Sequence, residues 1–213
     1  MKIKACIFDL DGVVVDTAKY HYLAWKKLAK ELGFDFSQED NEALKGISRM
    51  QSLDILLKIG SIKLPESKKQ ELAYIKNSWY REYLKQMTIA DMIPGVEIFL
   101  KDIKNRKIPT ALASASKNAN MVLEILDLSR FFDAVVDVTK IKNVKPDPEL
   151  FQKAAEMLNV KEDQCCVFED AEAGITGAKA AGMYAVGIGL ENILKEADLV
   201  IPDFTGFKFE NLP

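Results

Sequence analysis

The stretch Ile3-Lys4-Ala5-Cys6-Ile7-Phe8-Asp9-Leu10-Asp11-Gly12 is a mostly apolar run that ends in two aspartates. A run of this length and composition predicts a buried β-strand, in which residues two apart point to the same face. Asp9 and Asp11 should therefore converge where the strand ends, the edge at which open α/β sheets bind ligands. Because two adjacent carboxylates repel, the pair indicates a bound cation, a shared proton, or a division of roles between nucleophile and acid.

The composition limits the class of protein. The chain has 213 residues, of which 48% are hydrophobic and 29% charged, enough for one globular core and a smaller accessory domain. Its net charge of -3 argues against a nucleic-acid-binding surface. No secretory signal pattern or membrane-spanning stretch is recognisable. We therefore expect a cytoplasmic monomer without a nucleic-acid or membrane partner.

Two different patterns follow the first strand. Residues 17–87 carry about four amphipathic helical stripes and no convincing strand, whereas short apolar runs alternate with helices from Pro94 onward. Five further strands are predicted, at residues 108–113, 133–136, 164–168, 184–188 and 198–201. The predicted fold class is α/β, a Rossmann-like parallel sheet core with an inserted four-helix cap domain. The core would comprise residues 1–16 and 88–213, and the cap residues 17–87.

Polar residues follow four of the predicted strands. They are Asp9 and Asp11, Ser114 and Ser116, Lys145, and Glu169 and Asp170. Because the carboxyl ends of parallel strands share one edge, we expect these side chains to lie close together. Two acids at each of two strand ends make an oxygen-ligand site suited to Mg²⁺, with the lysine balancing the remaining charge. Such a site suits phosphoryl transfer in which Asp9 attacks in line and forms an aspartyl phosphate.

Each of these groups also has a purely structural interpretation. Asp9 and Asp11 could cap a turn at the strand end, and Asp170 could cap the helix that it precedes. Lys145 could be an exposed loop lysine, although Pro146 and Pro148 stiffen the chain around it. The functional interpretation is favoured because the groups gather at one predicted edge.

Two helix starts offer candidate phosphate sites. Ser114-Ala115-Ser116-Lys117-Asn118 opens a helix directly after a strand and presents hydroxyl and free backbone N–H groups; the alternative interpretation is that its serines serve only as caps. In the insert, Ser48 and Gln51 form a capping box that places Arg49 in the first helical turn, where a cation opposes the helix dipole. Arg49 is therefore either a surface residue or a bidentate phosphate ligand. A second phosphate site facing the metal site would suggest a substrate with two phosphates.

Two further residues of the insert have only structural interpretations from the sequence alone. His21, the single histidine, heads an apolar stripe and is interpreted as a core or hinge residue. Lys76 lies beside the apolar stripe of a long helix and is interpreted as a solvated lysine.

The chain resembles the haloacid dehalogenase superfamily in the order and spacing of four motifs, Phe8-Asp9-Leu10-Asp11-Gly12, Ser114, Lys145-Pro146-Asp147-Pro148 and Glu169-Asp170. Over nearly its entire length it also looks like the β-phosphoglucomutase family. The residues that carry this second resemblance are Asp16-Thr17-Ala18 with His21, Ala24 and Trp25, then Lys45-Gly46-Ile47-Ser48-Arg49, Lys76-Asn77 and residues 113–118. The resemblance implies an isomerase that interconverts β-D-glucose 1-phosphate and glucose 6-phosphate. It also implies Mg²⁺, an aspartyl-phosphate enzyme, and β-glucose 1,6-bisphosphate as the activating intermediate.

The resemblance further implies roles for individual residues. Asp9 would be the nucleophile and Asp11 the general acid and base, while Ser114 and Lys145 would hold the transferring phosphate. The implied metal site comprises Asp9, Asp11 through its carbonyl, Glu169 and Asp170. The implied substrate-binding residues are His21, Trp25, Gly46, Ser48, Arg49, Lys76, Ala115, Ser116, Lys117 and Asn118.

The main alternative is a Mg²⁺-dependent sugar-phosphate phosphatase of the same superfamily, because the core motifs alone do not separate the two. Arg49 and the His21 and Trp25 pattern favour the mutase. Ala171 stands where many superfamily members carry serine, a departure that removes no catalytic position. A carbon–halogen hydrolase is disfavoured because Asp11 is present to protonate an oxygen leaving group, and a non-catalytic sugar-phosphate-binding protein is disfavoured because Asp9 is present.

Overall fold

The computed structural model describes residues 2–44 and 47–213 and has a parallel β-sheet at its centre. The six strands lie in the order β3-β2-β1-β4-β5-β6. They are β1 Ala5–Phe8, β2 Thr110–Ser114, β3 Ala134–Asp137, β4 Cys165–Glu169, β5 Tyr184–Ile188 and β6 Leu199–Ile201. The predicted parallel sheet is confirmed, and β1, the strand that carries the paired aspartates, lies between β2 and β4.

The helices fall into two groups in the described part of the chain. Four of them follow β1 in succession and form the insert: α1 Ala18–Glu31, α2 Gln38–Glu42, α3 Arg49–Ile59 and α4 Glu66–Leu84. The others alternate with the strands of the sheet: α5 Val96–Asn105, α6 Ala119–Ile125, α7 Glu149–Leu158 and α8 Glu172–Ala180. The predicted four-helix insert in a Rossmann-like core is therefore present. Among the described residues, no helix combines the length and the hydrophobicity that a membrane span requires.

Helix starts and stops follow local sequence signals. The predicted capping box is confirmed, since Ser48 Oγ accepts from the backbone N–H of Gln51 at 3.4 Å and Gln51 Oε1 accepts from the N–H of Ser48 at 3.0 Å. This box fixes the start of α3 at Arg49. Helix α1 ends just before Gly33, whose φ of 89° is in the left-handed region that glycine adopts without strain.

The insert has an apolar cluster of its own. Its buried members include Trp25 and Leu28 of α1, Leu53 and Leu56 of α3, and Leu72 of α4. Burial of each such leucine stabilises the fold by roughly 1.5–3 kcal/mol relative to an exposed side chain. The cluster holds the helices of the insert together beside the carboxyl edge of the sheet.

The interpretation of Lys76 as a solvated lysine is wrong. The buried side chains of α4 are Leu72, Ala73, Lys76, Tyr80 and Leu84, whereas the apolar residues Ile75, Trp79 and Tyr83 of the same helix are only partly buried. Lys76 is 1% exposed because helix α1 covers it with His21 and Trp25. A helical pattern cannot anticipate this, since both covering residues come from another helix.

Two linkers connect the sheet with the insert and run side by side. Val15 and Met92 form an antiparallel bridge, and the backbone N–H of Asp16 donates to the carbonyl of Asp91 at 2.7 Å. The Asp91 carboxylate also pairs with Lys19 at the start of α1. The insert is therefore attached to the core through two adjacent backbone segments.

Candidate active site

The loop after β1 places the paired aspartates. The backbone N–H of Asp9 donates to the carbonyl of Phe168 at 2.9 Å, which continues the pairing of β1 with β4 one residue beyond the strand. Gly12 has a φ of 84°, and a Cβ at this position would overlap the carboxylate of Asp170. Glycine therefore allows the turn after Asp11 and the loop after β4 to approach each other closely.

Three carboxyl groups gather where β1 and β4 end. Oxygen atoms of Asp9, Glu169 and Asp170 lie within 4.8 Å of one another. A Cβ on Gly174 would overlap the Glu169 side chain, so the small residue lets the first turn of α8 lie against this group. An all-oxygen donor set of this kind fits Mg²⁺, which takes one or two protein carboxylates and completes its shell with water and phosphate oxygens.

Lys145 lies behind these acids and pairs with two of them. Its Nζ donates to Glu169 Oε2 at 2.7 Å and to Asp9 Oδ1, and the residue is only 2% exposed. Burial opposes the positive charge, but Asp9 and Glu169 outweigh it and raise the pKa of Lys145. Burial also raises the pKa of Glu169, against the opposing charge of Lys145. Lys145 is therefore a fixed cation that touches the candidate nucleophile.

Asp11 differs from Asp9 in its partners. The hydroxyl of Thr17 donates to Asp11 Oδ1. Burial and, secondly, the charge of Asp9 raise the pKa of Asp11 to about 6, while the hydrogen bond from Thr17 lowers it. A carboxyl group with a pKa of about 6 can both give and take a proton near neutral pH, as general acid and base catalysis requires.

A cavity of about 560 Å³ extends from these acids to the helices of the insert. Its core wall includes Asp9, Asp11, Asp170 and the loop of residues 115–118. Its insert wall includes His21, Trp25, Ser48, Arg49 and Lys76. The core and the insert therefore enclose one space, with the acids on its core wall.

The cavity is also lined by a second polar group of residues, from the loop after β2 and the start of α3. In the loop after β2, the N–H of Ser116 donates to Ser114 Oγ at 3.0 Å and the N–H of Asn118 donates to Ser116 Oγ at 3.2 Å. Asn118 Nδ2 also donates to Asn77 Oδ1 of α4 at 2.9 Å, so this loop is hydrogen bonded to the insert. Arg49 is partly buried at the start of α3, and burial lowers the pKa of its guanidinium. Arg49 thus lines the cavity rather than lying on an open surface.

Lys76 and His21 form the middle of the insert wall. Lys76 Nζ lies 2.9 Å from His21 Nδ1 and above the rings of Trp25 and Tyr80, at 4.2 and 4.8 Å from their centroids. Burial lowers the pKa of Lys76 well below its usual value, and the charge of Arg49 lowers it further. Burial and the charge of Lys76 likewise hold the pKa of His21 well below its usual value. Both side chains are therefore protonated less readily here than they would be in water.

The predicted site residues fall into two groups, those that line the cavity and those that are buried behind its core wall. Those that line it are Asp9, Asp11, His21, Trp25, Ser48, Arg49, Lys76, Ala115, Ser116, Lys117, Asn118 and Asp170. Ser114, Lys145 and Glu169 are buried directly behind its core wall. Gly46, together with its neighbour Lys45, lies outside the described residues.

Three residues without a predicted role contact the candidate site. Thr17 holds Asp11, Asn77 bonds Asn118, and Tyr80 stacks on His21 with ring centroids 4.1 Å apart. Only Thr17 and Asn77 have a partial signal in the sequence, because both stand among the residues that carry the family resemblance. Nothing in the helical pattern distinguishes Tyr80 from an ordinary core tyrosine.

Comparison with known proteins gives consistent matches over this fold and site. A family model described as haloacid dehalogenase-like hydrolase matches residues 3–182. The β-phosphoglucomutase of Bacillus subtilis is 44% identical over 212 residues, which cover 99% of this chain and 94% of that protein. The phosphorylated carbohydrates phosphatase of Thermotoga maritima is 33% identical over 85% of this chain and 82% of its own. A crystal structure of β-phosphoglucomutase from Clostridium difficile superposes with a TM-score of 0.93 at 46% identity, covering 98% of this chain and 95% of that one.

Proposed function

Because the chain belongs to the haloacid dehalogenase-like hydrolase family, we propose that it interconverts β-D-glucose 1-phosphate and glucose 6-phosphate through β-glucose 1,6-bisphosphate. The observation that carries this proposal is a single cavity lined by two polar groups of residues. One group is the acids Asp9, Asp11 and Asp170 of the core, and the other is Arg49 of the insert with the 115–118 loop. A phosphatase needs one phosphate site, whereas a mutase must bind a sugar with phosphate at both ends. The 44% identity with the B. subtilis β-phosphoglucomutase supports the same choice.

In the proposed reaction Asp9 carries the phosphoryl group. The C6 hydroxyl of β-glucose 1-phosphate attacks the phosphorus, the bond to Asp9 breaks, and Asp11 takes the hydroxyl proton. The bisphosphate then binds in the opposite orientation, and Asp9 attacks the phosphate on C1. The C1 oxygen leaves with a proton from Asp11, which yields glucose 6-phosphate and restores the phosphoryl group on Asp9.

The surrounding residues supply charge and position. Ser114 and Lys145 hold the transferring phosphate, Lys145 through its contact with Asp9. Asp9, Glu169 and Asp170, with the carbonyl of Asp11, would hold Mg²⁺, which when bound supplies positive charge to the phosphoryl oxygens. The proposed contacts to the sugar and its distal phosphate are those of His21, Trp25, Ser48, Arg49, Lys76, Ala115, Ser116, Lys117 and Asn118; the role of Gly46 stays a prediction.

Residues 17–87 act in this proposal as a cap domain over the core of residues 1–16 and 88–213. A mutase must keep water from its aspartyl phosphate and yet release and rebind the bisphosphate, so its cavity has to close and open. The paired linkers at Val15 and Met92 and the hydrogen bond from Asn118 to Asn77 support such a role. Cytoplasmic location and a monomeric state stay predictions from the sequence.

Arg49→Ala tests the second phosphate site. We expect kcat/KM for the phosphosugar to fall about 10- to 100-fold, because a charge-assisted contact to the distal phosphate is lost. Phosphorylation of Asp9 by acetyl phosphate, which has no distal phosphate, should stay within about twofold of the parent value. The control is Arg81→Ala, an exposed arginine of α4. An equal loss of rate in both reactions would contradict the role of Arg49 in binding the distal phosphate.

The function itself is tested by separating the two possible products. The protein is incubated with Mg²⁺, β-glucose 1-phosphate and a trace of the bisphosphate, while glucose 6-phosphate and inorganic phosphate are measured independently. We expect glucose 6-phosphate to form well in excess of inorganic phosphate. Release of inorganic phosphate without formation of glucose 6-phosphate would instead show that the protein is a phosphatase. That is the activity named for its 33% identical relative from T. maritima, a phosphorylated carbohydrates phosphatase.

A further inference from the structure

Asp91, in the linker that leads from α4 to α5, carries a buried carboxylate that the proposed mechanism does not use. The residue is 6% exposed, and three donors converge on its two carboxylate oxygens. Lys19 Nζ pairs with Oδ1, while the hydroxyl of Tyr20 and the backbone N–H of Thr88 donate to Oδ2 at 3.2 and 2.8 Å. The carbonyl of Asp91 also accepts from the backbone N–H of Asp16 at 2.7 Å. One residue of this linker therefore holds both the linker before α1 and the first turn of α1.

A local explanation covers only one of these contacts. Asp91 is the third residue of a capping box that begins at Thr88, and the box needs only the contact with the N–H of Thr88. The contacts with Lys19 and Tyr20 join positions 72 and 71 apart in the chain. They tie a helix of the insert to a segment that returns to the core.

Helix α1 begins without the signals that fix the starts of α2 and α3. Both of those helices have a complete capping box. Thr17 is the N-cap residue of α1, but its hydroxyl donates to Asp11 and makes no cap hydrogen bond, and no acidic residue lies in the first turn. Only Asp16 helps locally, since its Oδ1 accepts from the N–H of Ala18 at 3.1 Å. Contacts from outside the helix therefore fix the first turn of α1, and the carboxylate of Asp91 provides two of them.

We propose that Asp91 is a positioning residue that fixes the first turn of α1 and thereby sets where His21 and Trp25 lie in the wall of the cavity. His21 directly follows Tyr20, and Trp25 lies four positions further on, so the two side chains share one face of α1. Both of them line the cavity. A shift of the first turn would carry both side chains with it, and small misplacements of residues that position a substrate lower the rate. The inference rests on the proposed function through the sugar contacts given to His21 and Trp25.

Asp91→Ala tests the proposal because it removes all three contacts of the carboxylate, and Asp91 itself does not line the cavity. Conversion of β-glucose 1-phosphate uses His21 and Trp25, whereas phosphorylation of Asp9 by acetyl phosphate, which carries no sugar, does not. We expect kcat/KM of the sugar reaction to fall about three- to thirtyfold, mainly through a rise in KM, because contacts made in both the bound and the transition state are lost. The acetyl phosphate reaction should stay within about twofold of the parent value. Both reactions are measured below the thermal transition of the variant.

A second variant removes the same contacts from the side of α1. Lys19→Met combined with Tyr20→Phe keeps Asp91 and its contact with Thr88 but takes away both donors of the helix. This variant should also lower kcat/KM of the sugar reaction, and adding it to Asp91→Ala should lower it no further. It decides the matter if Asp91→Ala does not fold.

The matched control is Asp198→Ala in the core. Asp198 has the same pair of contacts, since it accepts from Lys179 Nζ at 2.5 Å and from the backbone N–H of Ala185 at 2.8 Å. It does not line the cavity and contacts no helix of the insert through these bonds. We expect a lower thermal transition for this variant, with both reactions within about twofold of the parent values.

Three results would overturn the proposal. They are a folded Asp91→Ala protein with the kcat/KM of the parent, an equal loss of rate in both reactions, and an unchanged sugar reaction in the variant that combines Lys19→Met and Tyr20→Phe. Failure of the proposed function would be seen separately, because the parent would then release inorganic phosphate and form no glucose 6-phosphate. In that case the same variants are compared on hydrolysis of β-glucose 1-phosphate, and the expected changes and the overturning results stay the same.

Discussion

Asp9→Ala is expected to abolish turnover of phosphosugars and phosphorylation of the protein. Asp9 is the carboxylate that contacts the buried cation Lys145 and lies among the oxygens of the candidate metal site. Glu169, the other carboxylate on Lys145, is buried behind the cavity wall and cannot take its place as nucleophile, so the residual rate should be the background rate. The measurement is the covalent mass of the protein after exposure to acetyl phosphate, together with the yield of glucose 6-phosphate.

Two controls accompany this variant. Removing Asp9 leaves Lys145 with Glu169 as its remaining carboxylate partner, so the thermal transition must be measured to show that the variant is folded. Asp163→Asn, an exposed acid remote from the cavity lining, should behave as the parent. A folded Asp9→Ala protein that still gains a phosphoryl group would contradict the role of Asp9.

Asp11→Asn should separate proton transfer to and from the sugar from phosphorylation of Asp9. The amide oxygen can still accept from Thr17, but the side chain no longer exchanges a proton. We expect sugar turnover to fall about 10²- to 10⁴-fold, the usual contribution of a positioned general acid or base. Phosphorylation of Asp9 by acetyl phosphate should remain within about threefold, since acetate leaves without a proton.

The comparison is made by rapid mixing and acid quench, which isolates the first phosphorylation of Asp9 from later turnover. Equal loss of both reactions in Asp11→Asn would mean that Asp11 acts on metal binding or folding and not on proton transfer. A pKa of about 6 in the parent places both protonation states of Asp11 within reach at neutral pH, as the proposed cycle requires.

Residues at strand ends were predictable from the sequence because one topological rule governs them. Parallel strands share their carboxyl edge, so Asp9, Lys145, Glu169 and Asp170 converge although 161 positions separate the first from the last. The capping box before Arg49 was predictable for a similar reason, since its hydrogen bonds join residues three apart.

Contacts between helices were not predictable in the same way. The pattern of α4 placed Lys76 in solvent because a charged residue at the side of an apolar stripe is usually exposed. In the structure, α1 supplies the His21 nitrogen and the Trp25 ring that lie against the amino group of Lys76. The stacking of Tyr80 on His21 likewise depends on how α1 and α4 pack together, and the sequence of α4 alone carries no sign of it.

The central claim is that the phosphoryl group on Asp9 passes to a sugar hydroxyl and not to water. It is tested most directly by phosphorylating the protein with acetyl phosphate labelled in its phosphoryl group, removing excess reagent, and adding β-glucose 1-phosphate with Mg²⁺. We predict that the label appears in β-glucose 1,6-bisphosphate, and in glucose 6-phosphate at later times, faster than in inorganic phosphate. Release of the label as inorganic phosphate, at the same rate with and without the sugar, would contradict the account.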